Sequence, residues 1–350
     1  MVQVKLVGAA GYGGLGMIEL LCRHPKIKLA AIVDIQDAGK PISAVWPYLE
    51  GYCDLPIMTP DEAAGVGADV TVYATPDGVG QAAAAAEVAA GRRVLDYSGD
   101  FRFADQAVYA EYARRLGRDP QHRSPALLAR SVYGLPELYR DRIAHAQVVG
   151  NPGCFAVSCI LGLLPAVREQ LVDLQGLVCD SKTGVSGAGK KAAPGFHYPE
   201  RYDTMNAYRL SGHQHVMEIE RELSVCAGSD IAVTFTPQVV PATRGILSCL
   251  YGRLACGATQ QQVLEAYRAA YAAEPFVVVK GRDSACATGQ VRGGNRCLLQ
   301  VACDERSGVF RVISHIDNLV KGQAGSAVQN LNIMFGLPED AGLDLPGAHP

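Results

Sequence analysis

No stretch of this 350-residue chain stays apolar long enough to span a bilayer. The longest runs, Cys154 to Val167 and Ala82 to Ala90, fall short of the roughly 20 residues that a membrane helix requires. A basic excess is missing as well: 32 Lys and Arg stand against 35 Asp and Glu, a net charge of -3, which excludes a general nucleic-acid binder. A local pocket can still be basic, so an anionic substrate remains open. The eleven cysteines contain no CxxC and no Cys/His spacing suited to zinc, so no metal site is expected. Their odd number and scatter point to reduced thiols and a cytoplasmic setting. The opening MVQVKLVGAAG runs straight into a strand pattern, without the charged, apolar and cleavage regions of a secretory signal. Internal repeats, low-complexity tracts and long linkers are absent too. What remains is a chain with 49% hydrophobic residues, enough to fill two domain cores.

Short β-branched runs alternate with helical ones over the first 150 residues, the pattern of a doubly wound, Rossmann-type α/β domain. Strands are predicted at Val4 to Val7, Leu29 to Val33, Val70 to Ala74 and Arg93 to Tyr97, with helices at Gly13 to Cys22 and Gln81 to Ala90. Between the first strand and helix lies GAAGYGG, which places Gly8, Gly11 and Gly14 at three-residue intervals, with Tyr12 and Gly13 among them. Glycine there lets the chain turn tightly and lets a pyrophosphate reach the helix N-terminus. Dinucleotide binding is therefore expected. Asp34 lies twenty residues after Gly14, where a carboxylate accepts hydrogen bonds from ribose hydroxyls and repels a 2′-phosphate, which favours NAD(H); nearby Lys40 is a cation that could offset it. A second loop, Ala74-Thr75-Pro76-Asp77-Gly78, follows a strand, so Thr75 and Pro76 are expected to face the same crevice.

Cys154 stands where Asn151-Pro152-Gly153 turns the backbone into an apolar helical run, Phe155 to Val167. A sulfur at a helix N-terminus is favoured as thiolate, and a thiolate attacks acyl carbons. Next, a strand at Leu177 to Ser181 closes in the loop DSKTGVSGAGKK, whose hydroxyls, glycines and lysines suit an oxyanion or phosphate. Ser181, Lys182 and Ser186 are its candidate substrate contacts, together with Asn151 and with Arg244 on the turn VPATRGI, where a guanidinium can fork onto a carboxylate or phosphate. Gly187 of the same loop and Asn318 complete the cofactor candidates. His213 and His215 precede a helix at Val216 to Leu223; either can serve Cys154 as acid–base partner, with His215 favoured because it adjoins the helix. Further strands are expected at Ile231 to Phe235, Ile246 to Leu254, Phe276 to Lys280, Cys297 to Cys303 and Val309 to Ile316, with helices at Thr259 to Ala272 and Gly322 to Phe335. These runs suit an α+β catalytic domain with a mixed or antiparallel sheet over residues 151–321, and residues 1–150 with 322–350 as the dinucleotide-binding domain.

Nine motifs follow one another in order: GAAGYGG, DYSGDFR, VYGLPEL, GNPGCF, DSKTGVSGAGK, the HxH before Glu218-Ile219-Glu220, FTPQVVPATRGIL, VRGGN and IDNLVKGQAGSAVQNLNIMFGLPE. Through them the chain resembles, over nearly its whole length, the N-acetyl-γ-glutamyl-phosphate reductase family of the aspartate-semialdehyde-dehydrogenase-like group. The resemblance implies NADP(H)-dependent reduction of a small-molecule acyl phosphate to an aldehyde in arginine biosynthesis, with Cys154 as nucleophile forming a thioester, and a homo-oligomer, dimer or tetramer. Asp34-Ile35 stands where the family usually has Ser-Arg, Asp77 where it has His, and Val216-Met217 where it has Thr-Pro. Such changes would also suit a relative acting on another acyl phosphate, such as a carrier-bound aminoadipyl or glutamyl phosphate; reduction of aspartyl phosphate is a separate alternative, against which VYGLPEL and IDNLVKGQAG favour the glutamyl family. A nucleotide-sensing scaffold is the non-enzyme alternative.

Overall fold

The computed structural model describes residues 1–347, which divide into two compact units. The first comprises Met1–Pro152 and Gln323–Asp344; the second comprises Gly153–Gly322 and residues 345–347.

The first unit carries a seven-stranded sheet of β1 (Val2–Val7), β2 (Ile27–Val33), β3 (Ile57–Met58), β4 (Val70–Tyr73), β5 (Arg93–Asp96), β6 (Val132–Tyr133) and β7 (Val148–Gly150). Their order is β3-β2-β1-β4-β5-β7-β6, and every pairing is parallel. Parallel strands joined by helical crossovers are covered on both faces, which is why all four residues of β4 are buried. The order reverses about β1, so the loops after β1 and β4 open at one switch point. The C-terminal helix Gly325–Met334 belongs to this unit, and Asn330 Nδ2 donates to the carbonyl of Gly134 at 2.8 Å. Every residue of that helix is buried, its amides finding polar partners within the unit.

The second unit holds a mixed sheet of β8 (Leu177–Thr183), β9 (Asn206–Ala207), β10 (Val233–Val239), β11 (Ile246–Arg253), β12 (Val277–Gly281), β13 (Cys297–Val301) and β14 (Val309–Ile316), in the order β12-β13-β14-β11-β8-β10-β9. β8 pairs parallel with β10 and β12 with β13, while the other pairings are antiparallel. Strict alternation along β8 sends Leu177, Cys179, Ser181 and Thr183 inward. They pack beneath the helix Cys154–Arg168, which is apolar on all sides and buried from Phe155 to Val167. Its one central hydroxyl is matched rather than excluded: Ser158 Oγ meets Ser248 at 2.9 Å and Ser314 at 3.0 Å. Tyr271 on the flanking helical segment donates to the carbonyl of Leu161 at 2.6 Å.

Sequence periodicity located most long elements to within four residues at either end, and missed the helices Gln106–Arg115 and Pro136–Ala144 and the shortest strands, β3, β6, β7 and β9. One difference has a chemical reason. The pattern predicts a helix from Gly322, yet the α-helix begins at Gly325 and is preceded by a wide π turn, Val320–Ala324. π turns inside helices often mark functional positions, and this one brings Gly322 against Cys154.

Asp96 at the end of β5 is wholly buried, with Ser98 N–H donating to it at 2.7 Å and Gly80 packed on its carboxyl. Burial, aided by the charge of Asp100, raises its pKa from 3.8 to about 8. The folded state therefore holds a proton that the unfolded chain releases. This stabilisation is complete below about pH 4, declines through the interval between the two values, and is lost as pH passes about 8. Unfolding followed by circular dichroism should show stability falling from pH 6 to 9, with Asp96→Asn flattening that fall and raising Tm at pH 9 by several degrees.

Candidate active site

In the first unit, the glycine loop is built by close backbone approach. Gly8 has φ +87°, and a β-carbon there would stand 2.5 Å from the carbonyl oxygen of Ala74. At Gly14 it would strike the carbonyl of Gly8 and come within 2.8 Å of that of Ala9. Gly11 caps the helix Tyr12–Leu21 without a side chain, which leaves the helix's first N–H groups uncapped by any side chain and able to hold an anion. Around this mouth lie Thr75, whose buried Oγ1 makes no hydrogen bond, and Gln323, whose buried Oε1 makes none and whose Nε2 lies 3.1 Å from a β-carbon built on Gly13. Unsatisfied polar atoms beside a bare helix terminus fit a dinucleotide with ribose and amide groups to offer. The Tyr12 ring faces Trp46 at 6.0 Å, and Asp34 Oδ2 accepts the Ala10 N–H at 3.0 Å. Pro76 precedes Asp77, whose carboxylate takes the Gly99 N–H at 2.6 Å and pairs with Arg118.

The second unit assembles a sulfur, an imidazole and a carboxylate. Cys154, half-buried, opens the helix Cys154–Arg168, with Gly153 as an extended N-cap at φ −72° and ψ 145°. Glu218 Oε2 accepts the Gly153 N–H at 2.9 Å, and a β-carbon at Gly153 would strike the Nε2 edge of the His215 ring. His215 and Glu218 share a turn of the helix His215–Ala227, so one helix places both against the residue before the sulfur. On the other side, a β-carbon at Gly322 would stand 2.7 Å from Cβ of Cys154. Tyr208 is the residue that sequence patterns did not reveal. Burial pushes its hydroxyl pKa well up, and the neighbouring Cys154 charge adds to the rise.

The two histidines separate by environment. His213 is 4% exposed, with its ring 5.8 Å from that of Phe155 and 5.0 Å from that of Phe235. Burial, reinforced by the charges of His215 and Arg209, lowers its pKa to about 2, so it stays neutral. Its Nδ1 accepts the His215 N–H at 3.2 Å. His213 thus orients the start of the second helix, while His215 lies against Gly153.

Three loops are joined beside this group. Asn318 donates to Ser186 Oγ at 3.0 Å and accepts the Gly245 N–H at 2.8 Å, and Gly187 lies against the same amide. Arg244 Nη2 holds the buried Asp317 at 3.0 Å, while its own buried Nε makes no hydrogen bond. Other nominated residues are placed differently. Ser181 is wholly buried, its hydroxyl 2.8 Å from Ser248 beneath the central helix. Lys182 points to the opposite face of β8 and pairs with Asp180. Asn151, in the first unit and also wholly buried, donates to the Gln323 carbonyl at 3.0 Å and accepts from Asn330 at 3.2 Å. Strand alternation could have signalled the burial of Ser181; nothing in the sequence distinguishes Asn151.

With this geometry in place, similarity to known proteins becomes specific. The family described as "Semialdehyde dehydrogenase, NAD binding domain" matches residues 3–146, and "Semialdehyde dehydrogenase, dimerisation domain" matches residues 154–318. The N-acetyl-gamma-glutamyl-phosphate reductase of Laribacter hongkongensis is 44% identical over 345 residues, covering 99% of this chain and 98% of its own. The protein of the same name from Pelotomaculum thermopropionicum is 42% identical, covering 100% and 99%. The chain belongs to the N-acetyl-γ-glutamyl-phosphate reductase family. Among solved structures, aspartate semialdehyde dehydrogenase II of Vibrio cholerae complexed with ASA aligns with a TM-score of 0.73 at 16% identity, covering 96% of this chain and 98% of that one. The aspartate semialdehyde dehydrogenase of Candida albicans with NADP aligns at 0.66 and 16%, covering 96% and 98%. These two share the fold. The matched family identifies the first unit as the part that binds a nicotinamide nucleotide. Among the described residues there is no cluster suited to a metal and no helix long and apolar enough to cross a membrane.

Crowding at Gly322 gives a direct check on the candidate centre at Cys154. Gly322→Ala should cost about 1–3 kcal/mol of stability through overpacking against Cys154. It should also slow alkylation of Cys154 at least tenfold, with nucleotide affinity kept, as measured by timed iodoacetamide labelling with peptide mapping.

Proposed function

We propose that this family member reduces N-acetyl-γ-glutamyl phosphate to N-acetylglutamate 5-semialdehyde with release of phosphate, in arginine biosynthesis. One observation carries the reading: a half-buried cysteine at an open helix N-terminus, with the His215 imidazole packed against the preceding glycine. As thiolate, Cys154 attacks the acyl carbon. The carbon–oxygen bond to phosphate breaks, phosphate leaves with the electron pair, and a thioester forms on the sulfur. Backbone N–H groups of the first helical turn are suited to hold the oxyanion. When bound, the reduced nicotinamide nucleotide supplies hydride to the carbonyl carbon. His215 then manages the proton of the substrate oxygen as the carbon–sulfur bond breaks, returning Cys154 as thiolate and freeing the aldehyde. Glu218, fixed on Gly153, and neutral His213 position that imidazole.

Ser186 and Arg244 are the proposed contacts for phosphate or carboxylate, supported by the unsatisfied Arg244 Nε and by Asn318, which joins their loops. Lys182, Ser181 and Asn151 are the weaker candidates, because each is already engaged elsewhere. Gly8, Gly11, Tyr12, Gly13, Gly14, Thr75 and Pro76 would hold the nucleotide. Between NADP(H), which the resemblance implies, and NAD(H), Asp34 is the discriminating group. We place the enzyme in the cytoplasm as a homo-oligomer. The half-exposed face of the second sheet, with Val178, Leu247 and Ile313, supports the oligomer.

Phosphate-dependent oxidation of N-acetylglutamate semialdehyde, followed by reduced-nucleotide absorbance beside aspartate semialdehyde, tests the reading. The acetylated substrate should be preferred. Cys154→Ser should lower turnover more than a thousandfold with nucleotide affinity unchanged, and full activity in that variant would overturn the mechanism. His215→Gln should lower kcat by roughly 10²–10⁴. His213→Phe should cost far less.

A further inference from the structure

We infer that Asp34 selects NAD(H) over NADP(H), so that the hydride of this reaction comes from the nucleotide without a 2′-phosphate. The inference rests on the nucleotide site of the proposed function and adds its specificity. Asp34 follows the last residue of β2, and the glycine loop is tied to that strand end, with the Gly8 and Ala9 N–H groups donating to the Val33 carbonyl at 2.8 and 3.2 Å. The Asp34 side chain is clamped in the same place. Its Oδ2 accepts from Ala10 N–H at 3.0 Å, and its Oδ1 accepts from Gln36 N–H at 3.0 Å. The carboxylate therefore cannot swing aside without giving up two hydrogen bonds, one of them to the loop that takes the pyrophosphate.

Each carboxylate oxygen carries further lone pairs after one backbone bond, so adenosine ribose hydroxyls can donate to it. A 2′-phosphate has no proton to donate at neutral pH in this setting and adds like charge at hydrogen-bond range. A neighbouring cation could reverse that outcome, and the one in the segment after the strand end is engaged elsewhere. Lys40 is the one cation in residues 34–40, and it reaches back to Asp37 at 2.7 Å. Its backbone is meanwhile held by β3, through Ile57 N–H donating to the Lys40 carbonyl at 2.8 Å. Ile35, next in sequence, is 83% exposed and apolar. The loop after β4, the other wall of the switch point, contributes Asp77, already paired with Arg118.

Binding without chemistry tests this independently of the reaction. The full chain is titrated with ADP-ribose and with its 2′-phosphate by calorimetry. It is titrated again with NADH and NADPH by quenching of Trp46, the single tryptophan, which faces Tyr12 at the glycine loop. The unphosphorylated member of each pair should bind at least tenfold more tightly. Asp34→Asn, which keeps shape and removes charge, should narrow that ratio at least tenfold, chiefly by tightening the phosphorylated ligands. Asp34→Ser with Ile35→Arg should invert it. Equal or tighter binding of the phosphorylated ligands by the wild-type chain, or a ratio unmoved by Asp34→Asn, overturns the inference while leaving the Cys154 chemistry untouched. Failure of all four ligands to bind overturns the nucleotide site itself.

Discussion

Gly153 and Gly322 let main chain approach His215 and Cys154 closely: a β-carbon at Gly153 would collide with the His215 ring, and one at Gly322 with Cβ of Cys154. The constraint is steric, yet its consequence is electrostatic. With Gly153 extended and bare, the helix Cys154–Arg168 starts without a side-chain cap, so its first N–H groups remain to stabilise charge on sulfur or on a substrate oxygen. Glu218 takes the N–H of Gly153 itself, which fixes the direction in which that helix terminus faces. A bulkier residue before the cysteine would displace the His215 imidazole.

The rest of the second unit serves to hold that helix still. It is buried on every side, and its polar interruptions are matched by the serine hydroxyls on β11 and β14 and by a tyrosine on the flanking helix. Hydroxyl pairs of this kind orient a helix more specifically than methyl packing does, because an unmatched buried hydroxyl costs about 1–3 kcal/mol. Asp317 plays the corresponding part for the loops, accepting from Gly293, Leu319 and Val320 N–H groups while holding Arg244. A guanidinium anchored at one end by a buried carboxylate keeps its remaining donors aimed in one direction.

Much of this was legible beforehand because it depends on local chain chemistry. The glycine spacing in GAAGYGG encodes a strand-to-helix turn that needs φ +87° at Gly8 and close approach at Gly14, and both follow from which residues lack a β-carbon. Cys154 was legible for the same reason, since Pro152-Gly153 ahead of an apolar run marks a helix start. The choice between His213 and His215 was not legible, because two residues of the same type two positions apart differ only in what packs around them. Phe155 and Phe235, far apart in sequence, bury one ring and hold it neutral. Ser181 and Lys182 present the opposite case. Their chemistry suits an anion, but β8 turns one under the central helix and the other to the far face of the sheet.

Sequence alone therefore determined the two-unit α/β organisation, the glycine turn, the thiol at a helix start and the family, since each is written in the order and spacing of neighbouring residues. Tertiary structure alone decided which imidazole meets Gly153, which polar side chains are enclosed in the core, and how Asp34 is clamped. Those outcomes depend on burial and on hydrogen bonds between residues far apart in sequence, such as the Asn151–Asn330 pair, 179 positions apart. No local pattern encodes such neighbours, because their desolvation and partners exist only once the chain has folded.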